Sequence, residues 1–366
     1  MKDDLYALWM MSLKLSATAR NKLMQQFGTA QDVFDNAQWI KGQAAKHITP
    51  FASGVYLDKV ASLTNSQDFE FISQNNPKFP TRLKNIVDPP LGIFVKGNLP
   101  NNFDNMPTVG IVGSRDNTLY GRKVTKTLSK DLAALGFIVI SGMARGLDAH
   151  AHKGALEARG ETIAVLPCSV DKCYPQENRD LYKQIPQKGA LISEYFPGTK
   201  IENWHFLARN RIISALSDAL IITEAATRSG TFSTATHALN QGKDVLAVPG
   251  DIFSKQSEGT NLLIKDGAVP ITSYLDVVAV LKSMAHLKGF FSNKMPVLEK
   301  ENSPIEKISL ASDENLVYSC INYEPVSIEY IVYKTELNVS QVNKILFELE
   351  LDGRVVKLPG NKYIKK

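Results

Sequence analysis

Several features that would place a protein outside the cytoplasm are missing from this sequence. It has three cysteines, Cys168, Cys173 and Cys320, and no C-x-x-C pair. An odd cysteine count without paired spacing argues against a disulfide framework and is typical of reduced cytosol. The chain also lacks an apolar run of about 18 residues, the length that a membrane-spanning helix needs. Its first residues include Asp3 and Asp4 where a secretory signal carries basic residues. These absences predict a cytoplasmic protein with no membrane contact.

Charge of either sign is moderate. Of the 366 residues, 44% are hydrophobic and 22% are charged, and the net charge is +5. A chain of this length can form two or three domains with at least one large core. The small positive charge allows a polyanionic partner without requiring one.

From Thr108 onwards, short apolar runs alternate with segments of helical length. In chain order the runs are TVGIVG, FIVISG, TIAVLP, ALISEY, ALIITE and DVLAVPG. Continuous β-branched runs separated by helices are typical of a parallel sheet buried on both faces. The expected fold class is therefore α/β, with an extended Rossmann-like, doubly wound and mainly parallel sheet.

The segments on either side of this sheet have different patterns. Residues 5 to about 66 have helical spacing, with breaks at Gly28 and around Pro50. The last 57 residues suit three helices, the latter two capped by Ser327 and Ser340, and then a β-hairpin around Pro-Gly-Asn. We therefore predict a helical domain of the SAM or helix-hairpin-helix kind over 1–66, the Rossmann-like domain over 67–282, a linker over 283–309 and a winged-helix domain over 310–366.

Three of the predicted strands end in small residues. Gly113-Ser114 follows the first strand, Ser141-Gly142 the second and Ser229-Gly230-Thr231 the fifth. Glycine lets backbone N–H groups approach an anion, and each loop opens a helix whose N-terminal end is positive. Ligands of doubly wound sheets bind beyond the carboxyl ends of the strands, where these loops would lie. With arginines at 115, 122, 145 and 228, the pattern predicts a phosphate-binding edge.

A nucleotide cofactor is not the expected ligand. A nicotinamide site needs G-x-G-x-x-G and an acid at the end of the second strand, whereas that strand ends in Ser141-Gly142 with no carboxylate before Asp148. The Gly-Lys-Ser/Thr pattern of a P-loop is also absent. We therefore predict no cofactor and no nucleotide hydrolysis.

Two later segments interleave cations with aromatic rings. DKCYPQENRDLY places Tyr174 near Lys172 and Arg179, and NWHFLARNRIISALSDA places Arg209 to Arg211 after Trp204, His205 and Phe206. Single-stranded nucleic acid is bound by cations that contact phosphates and by aromatic faces that stack on bases. The alternative is that the rings fill the core and that the arginines pair with surface acids.

Seven motifs then occur together and in order. They are GIVGSR…YG, SGMARGLDAHAH, DKCYPQEN, RNRIIS, TEAATRSGTFSTATHAL, QGKDVLAVPG and GTNLLIKDGA. Together they resemble the DNA-processing protein A family (DprA, also called Smf) over residues 108 to 270. The upstream segment FPTRLKNIVDPPLGIFVKGNL is similar to the family as well. The resemblance implies a cytoplasmic, dimeric protein of natural transformation that binds and protects single-stranded DNA without strong sequence preference and helps to load the RecA recombinase.

The loop pattern and the resemblance together give the expected DNA-binding residues. Those implied by matching positions lie in the Gly113-Ser114-Arg115 loop, the Ser141-Gly142 loop with Arg145, the Tyr174-Pro175 loop and the segment 209–211. The sequence departs from the family pattern at 167–171 and at Leu207-Ala208. The full set is Gly113, Ser114, Arg115, Tyr120, Gly121, Arg122, Ser141, Gly142, Arg145, Gly146, Lys172, Tyr174, Asn178, Arg209, Asn210, Arg211, Ser229, Gly230 and Thr231.

An enzyme is the first alternative function. A related family of nucleoside-monophosphate phosphoribohydrolases carries a catalytic glutamate four residues after the last glycine of its Pro-Gly-Gly-x-Gly-Thr loop. With that glycine aligned on Gly230, Thr234 stands at the glutamate position in this chain. Glu194 and Glu224 end strands that we expect to be neighbours, so they could form an acid/base pair. Pairing with arginines or backbone is the preferred interpretation, and we predict no catalytic residue.

A metal site and a transcription regulator are further alternatives. His150 and His152 are two apart in a predicted helix, so they point about 200° apart and cannot share a metal ion from one face. Residues 310–366 hold seven lysines or arginines against eight aspartates or glutamates. The predicted recognition helix, SQVNKILFELELD, carries one lysine and three acids. A helix that reads the major groove needs cations, so we expect no metal and no role as a regulator.

Overall fold

The computed structural model describes residues 2–65, 68–100, 102–294 and 313–365. The chain divides into two compact units, one of residues 1–117 and 124–292 and the other of residues 118–123 and 293–366. Within the described residues no helix has the length and apolar character to span a membrane.

The first unit begins with five helices, which confirms the helical start of the chain. Helix α2 ends at Gly28, whose φ of 95° is easily adopted only by glycine. Pro50 lies in a 3-10 turn between α4 and α5. Trp9, Met10 and Met11 are buried among these helices. The helices are α1 Lys2–Ser12, α2 Ala17–Phe27, α3 Ala30–Asp35, α4 Ala45–Ile48 and α5 Gly54–Asn65.

A nine-stranded sheet follows, and its order is β1-β2-β6-β5-β4-β3-β7-β8-β9. The seven neighbouring strands β6-β5-β4-β3-β7-β8-β9 are parallel, and β1 and β2 add an antiparallel edge. The α/β, mainly parallel fold class is therefore confirmed. The strands are β1 Glu70–Ser73, β2 Gly92–Gly97, β3 Thr108–Val112, β4 Ile138–Ser141, β5 Thr162–Val165, β6 Gly189–Ser193, β7 Ala219–Ile222, β8 Asp244–Ala247 and β9 Val269–Pro270.

The two faces of the sheet are covered by different elements. Ile163 and Val165 belong to one apolar cluster, which also contains Ile212 of α9, whereas Ala164 belongs to a second cluster with the N-terminal helices. This alternation is the period of two that a strand imposes, and here both faces are apolar. The helices of this region are α6 Leu119–Ala134, α7 Leu147–Glu157, α8 Arg179–Lys188, α9 Asn203–Leu216, α10 Thr231–Asn240, α11 Glu258–Lys265, α12 Tyr274–Lys282 and α13 Lys288–Lys294.

The predicted linker is described only in part. A 3-10 turn at Ala285–Leu287 and helix α13 occupy its beginning, and residues 295–309 lie outside the described residues. The bounds of the four predicted segments therefore stay predictions.

The strand order fixes where a ligand can bind. From β3 the chain adds β4, β5 and β6 on one side, and it then returns to place β7, β8 and β9 on the other side. In doubly wound sheets the crevice for the ligand lies where the order reverses, beyond the carboxyl ends of the two central strands. Here those strands are β3 and β7.

Over residues 313–365, the second unit contains three helices and a small antiparallel sheet of order β10-β12-β11, as a winged helix requires. Ser327 caps α15 as predicted. The prediction that Ser340 caps α16 is wrong, because Asn338 is the N-cap. Its side chain accepts the N–H of Gln341, and the side chain of Gln341 accepts the N–H of Asn338. The elements are α14 Asp313–Cys320, β10 Val326–Ser327, α15 Ile328–Thr335, α16 Val339–Leu351, β11 Val355–Leu358 and β12 Lys362–Lys365.

Candidate nucleic-acid interface

An open pocket of about 400 Å³ lies at the reversal of strand order, and we call it the switch-point pocket. Its walls are the loop after β3, the loop after β7 and one side of α9. It therefore brings together residues that are more than 100 positions apart in the sequence. The predicted site residues that line it are Gly113, Ser114, Arg115, Arg209, Asn210, Ser229, Gly230 and Thr231.

Backbone hydrogen bonds hold the loop after β3 in place. The Ser114 N–H donates to the Glu224 carbonyl at 2.9 Å, which joins this loop to the one after β7. The Leu147 N–H donates to the Ser114 carbonyl at 3.2 Å, which joins it to the start of α7. The Ser114 hydroxyl donates to the carbonyl of Asp116. The predicted phosphate loop is thus fixed before any ligand arrives.

Asp148 of α7 connects the loops after β3 and β4 through hydrogen bonds. Its buried carboxylate accepts backbone N–H groups of Gly113 and Ala144. Burial raises the pKa of Asp148, while the Arg209 guanidinium opposes that shift. This role was not predicted from the sequence, although an acid in the first turn of the helix after a glycine-rich loop was a signal for it.

Arg115 is one of two exposed cations that line the pocket, the other being Arg228. Its guanidinium lies over the ring of Phe206, 5.3 Å from the centroid, and Tyr174 packs edge-on against the same ring at 5.6 Å. In the described part of the chain no ion pair joins Arg115 to a carboxylate. The alternative that Arg115 pairs with Asp116 or Asp148 is therefore not the arrangement found. An exposed guanidinium stacked on an aromatic face keeps its donors available for an anion.

Arg209 and Arg211 are placed differently, because their side chains are only 4% and 6% exposed. Arg209 donates to the Gly142 carbonyl at 2.8 Å and to the Val165 carbonyl. Arg211 donates to the buried carboxylate of Glu194 at 2.7 Å. The arginines of this segment are therefore bound inside the protein rather than to surface acids, and direct contact between their side chains and DNA stays a prediction.

The loop after β4 and the Tyr174 loop form a smaller cleft beside the pocket. Arg115, Phe206 and Arg209 line both cavities, and Gly142, Arg145 and Tyr174 line the smaller one. The exposed Arg145 pairs with Glu177 at 3.3 Å. The two cavities thus form one continuous surface along the ends of β4, β3 and β7.

The remaining predicted residues lie in supporting positions. Asn178 donates to the carbonyls of Met143 and Ala144 at 2.9 and 3.2 Å, and Lys172 donates to the Thr199 carbonyl at 3.2 Å. The buried Ser141 hydroxyl donates to the Ile111 carbonyl at 2.6 Å. Gly146, with a φ of 85°, caps the N-terminus of α7, and Tyr120, Gly121 and Arg122 lie at the start of α6.

The expectation that Glu194 and Glu224 end neighbouring strands is wrong. Glu194 and Glu224 follow β6 and β7, and three strands, β5, β4 and β3, separate those two in the sheet. Glu194 lies within 3.9 Å of Arg20 in addition to its bond with Arg211. Thr234, at the position of the phosphoribohydrolase glutamate, is buried in the wall of the switch-point pocket.

His152 of α7 lies in the protein core. His152 is fully buried, and its Nδ1 lies 2.7 Å from the Thr162 hydroxyl. Because that hydroxyl donates to the Val139 carbonyl, its oxygen accepts the proton of Nδ1. Burial lowers the pKa of His152 to about 3, so this imidazole is a neutral part of the core.

The sequence was compared with known protein families. The sequence profile of DNA recombination-mediator protein A matches residues 70–282, which is more than half of the chain. The chain belongs to the DprA family. The family predicted from the seven motifs is therefore confirmed, and the profile of the DprA winged helix domain matches residues 301–361.

Curated relatives extend the similarity beyond the central domain. Protein Smf of Synechocystis is 33% identical over 319 residues, which cover 81% of this chain and 80% of that protein. The DNA processing protein DprA of Bacillus subtilis is 37% identical over 60% of this chain and 74% of its own length.

Two solved DprA structures have the same fold. DprA of Streptococcus pneumoniae is 31% identical, with a TM-score of 0.65 over 76% of this chain and 97% of that one. DprA of Helicobacter pylori, whose structure describes a single-stranded DNA binding mode, is 32% identical, with a TM-score of 0.53 over 60% of this chain and 97% of that one.

Proposed function

We propose that this protein binds single-stranded DNA, without strong sequence preference, along the surface formed by the switch-point pocket and the cleft beside it. The observation that carries the proposal is the exposed Arg115 stacked on Phe206 at the reversal of strand order. The similarity to a DprA with a single-stranded DNA binding mode supports it.

The chemistry of the surface suits a nucleic-acid backbone. Arg115, Arg145 and Arg228 are exposed along it, and Ser229 and Gly230 lie where α10 begins with its positive end. The pocket is open and continues into a neighbouring cleft, so it suits a chain of phosphates better than one small ligand. The half-buried rings of Phe206 and Tyr174 at this surface can stack on bases, since every base has a π-face.

The wider role follows the family. We propose that the protein acts in the cytoplasm during natural transformation, where it protects incoming single strands and helps to load the RecA recombinase as a homodimer. We also propose that it does so without catalysis, cofactor or metal. Family membership supports this role, and the threonine at position 234, in place of a catalytic glutamate, supports the lack of nucleosidase activity.

Fluorescence anisotropy with labelled oligo-dT and a matched duplex, at two salt concentrations, tests the proposal. We expect tighter binding to the single strand and an affinity that falls as salt rises, because neutralised phosphates release counterions. Equal or tighter binding to duplex would contradict the proposal and favour a regulator acting through its winged helix. Ribose phosphate released from a nucleoside monophosphate, and lost in Glu224→Ala, would favour an enzyme.

A further inference from the structure

A loop beside the switch-point pocket exposes two large apolar side chains. Phe253 is 90% exposed, more than any other large hydrophobic side chain in the described part of the chain, and its neighbour Ile252 is 77% exposed. Such exposure does not stabilise the fold, because the transfer of apolar surface from water is the stabilising step. The ring is therefore available to a partner.

Hydrogen bonds hold this loop in a defined shape. The Phe253 N–H donates to the Asp251 carboxylate at 2.8 Å, and the Ser254 N–H donates to the Asp251 carbonyl at 3.1 Å. The carbonyl of Gln256 accepts the Ala225 N–H at 2.9 Å, which ties the loop to the strand end after β7. The ring of Phe253 is thus presented from a fixed backbone, so little ordering entropy is lost on binding.

The same loop reaches the pocket itself. The side-chain amide of Gln256 donates to the Asp116 carboxylate at 3.1 Å, and Gln256 lines the switch-point pocket. Phe253 precedes Gln256 by three residues, so their Cα atoms are at most about 11 Å apart. A strand whose phosphate lies in the pocket can therefore bring a nearby base to the ring.

Charge and area indicate which partner suits this position. Lys255, two residues after Phe253, is exposed. Arg228 is exposed at the rim of the switch-point pocket. A single aromatic side chain buries about 150–250 Å², whereas a stable protein interface needs about 800 Å² on each partner. The carboxylates of Asp251 and Asp116 also lie in this region, and both already accept hydrogen bonds from the loop. A ring with cations nearby is the combination that binds single-stranded nucleic acid.

We propose that Phe253 stacks on a base of the single strand whose phosphates occupy the switch-point pocket. The proposal rests on the proposed function and adds a base-contacting position that lies outside the glycine-rich loops. It predicts an interaction between the ring and the base that is independent of the phosphate contacts.

The test compares Phe253→Ala with the wild-type protein on two oligonucleotides of equal length, oligo-dT and an abasic analogue with the same backbone. We expect the variant to bind oligo-dT about 5- to 150-fold more weakly, the range for loss of one stacked base. We expect both proteins to bind the abasic strand within about twofold of each other, because no base is present to interact. Phe253→Tyr should restore most of the affinity for oligo-dT, and Phe253→Leu should not.

Control variants separate base stacking from a general loss of apolar surface and from a change in assembly. Phe347→Ala removes an exposed phenylalanine of α16 and should leave the affinity for oligo-dT unchanged. Sedimentation should give the same mass for the wild-type protein and Phe253→Ala. An equal loss on both strands, full affinity in Phe253→Leu, or a changed mass would overturn the proposal.

The two proposals fail in different ways. If the wild-type protein does not bind oligo-dT, the proposed function is contradicted and this inference with it. If the wild-type protein binds oligo-dT and Phe253→Ala binds equally well, only the inference is overturned.

Discussion

At the residue scale, exposure separates the arginines into two groups. Arg115 is exposed and stacked on a ring, whereas Arg209 and Arg211 are buried and already donate to carbonyls or a carboxylate. The guanidinium donors that hold those carbonyls and that carboxylate are not available to a phosphate, and unsatisfied partners inside the protein are costly. We therefore expect exposed arginines to supply the binding energy and buried ones to shape the loops.

Arg115→Ala should weaken oligo-dT binding by about 1–3 kcal/mol, the range for one charge-assisted hydrogen bond. The salt dependence should flatten as well, because about one fewer phosphate is neutralised. Arg115→Lys should restore only part of the affinity, since lysine cannot form two parallel bonds to a phosphate. Lys130→Ala, an exposed cation of α6, is the control. A lowered melting temperature with unchanged affinity and salt slope would show that Arg115 is structural.

His152 should make stability depend on acid. Burial holds its pKa at about 3, below the usual value of about 6.5 for the unfolded chain. The native state therefore takes up this proton only at a lower pH than the unfolded state does. The stability that the neutral His152 contributes is complete above pH 6.5, and it is lost as pH falls from about 6.5 to about 3. By pH 5 the loss should be about 2 kcal/mol. Urea unfolding of the wild-type protein and His152→Gln at pH 7.5 and pH 5 measures it, and identical pH dependence in both proteins would contradict the assignment.

At the element scale, the strands could be predicted from the sequence, but which strands lie side by side in the sheet could not. The six apolar runs predicted as strands correspond to β3 to β8, because continuous β-branched runs have few other uses. The strands β1 and β9 gave no comparable signal, since β9 has two residues, both exposed, and β1 has two of four buried. The error about Glu194 and Glu224 has the same origin. The strands β6 and β7 are consecutive in sequence, but the chain crosses the sheet between them.

The candidate site was predictable to the same extent. The glycine-serine loops could be placed at one edge because parallel strands end together. Those after β3 and β7 do line one pocket with Arg115, and Gly142 lines the neighbouring cleft. The burial of Arg209 and Arg211 could not be predicted, since helix α9 packs both arginines against partners, Val165 and Glu194, that are far away in sequence.

Two glycines of these loops should respond differently to alanine. A Cβ on Gly142 would lie 2.3 Å from the Arg209 guanidinium, which is held by two carbonyls and cannot move away freely. Gly142→Ala should therefore destabilise the fold by about 1–3 kcal/mol. A Cβ on Gly230 meets no atom within 4 Å, so Gly230→Ala should keep the melting temperature and weaken oligo-dT binding by filling space in the pocket. Equal melting temperatures for both variants would contradict the close packing inferred for the β4 loop.

At the scale of the whole molecule, the order of the strands creates the site. Several loops line the switch-point pocket together, and they meet there because the order of the strands reverses between β3 and β7. The second unit differs in charge, since the described part of α16 carries Lys344 with Glu348 and Glu350. An acidic helix is poorly suited to a phosphate backbone, so we place DNA binding on the sheet rather than on the winged helix.

Hydrogen–deuterium exchange, measured on the full chain with and without saturating oligo-dT, tests that placement most directly. We predict slower exchange in peptides that cover the loops after β3, β4 and β7, including Gly113 to Arg115 and Ser229 to Thr231. We predict no change in peptides from residues 313–365. Slower exchange confined to residues 313–365, with the three loops unchanged, would contradict the placement of DNA binding on the sheet.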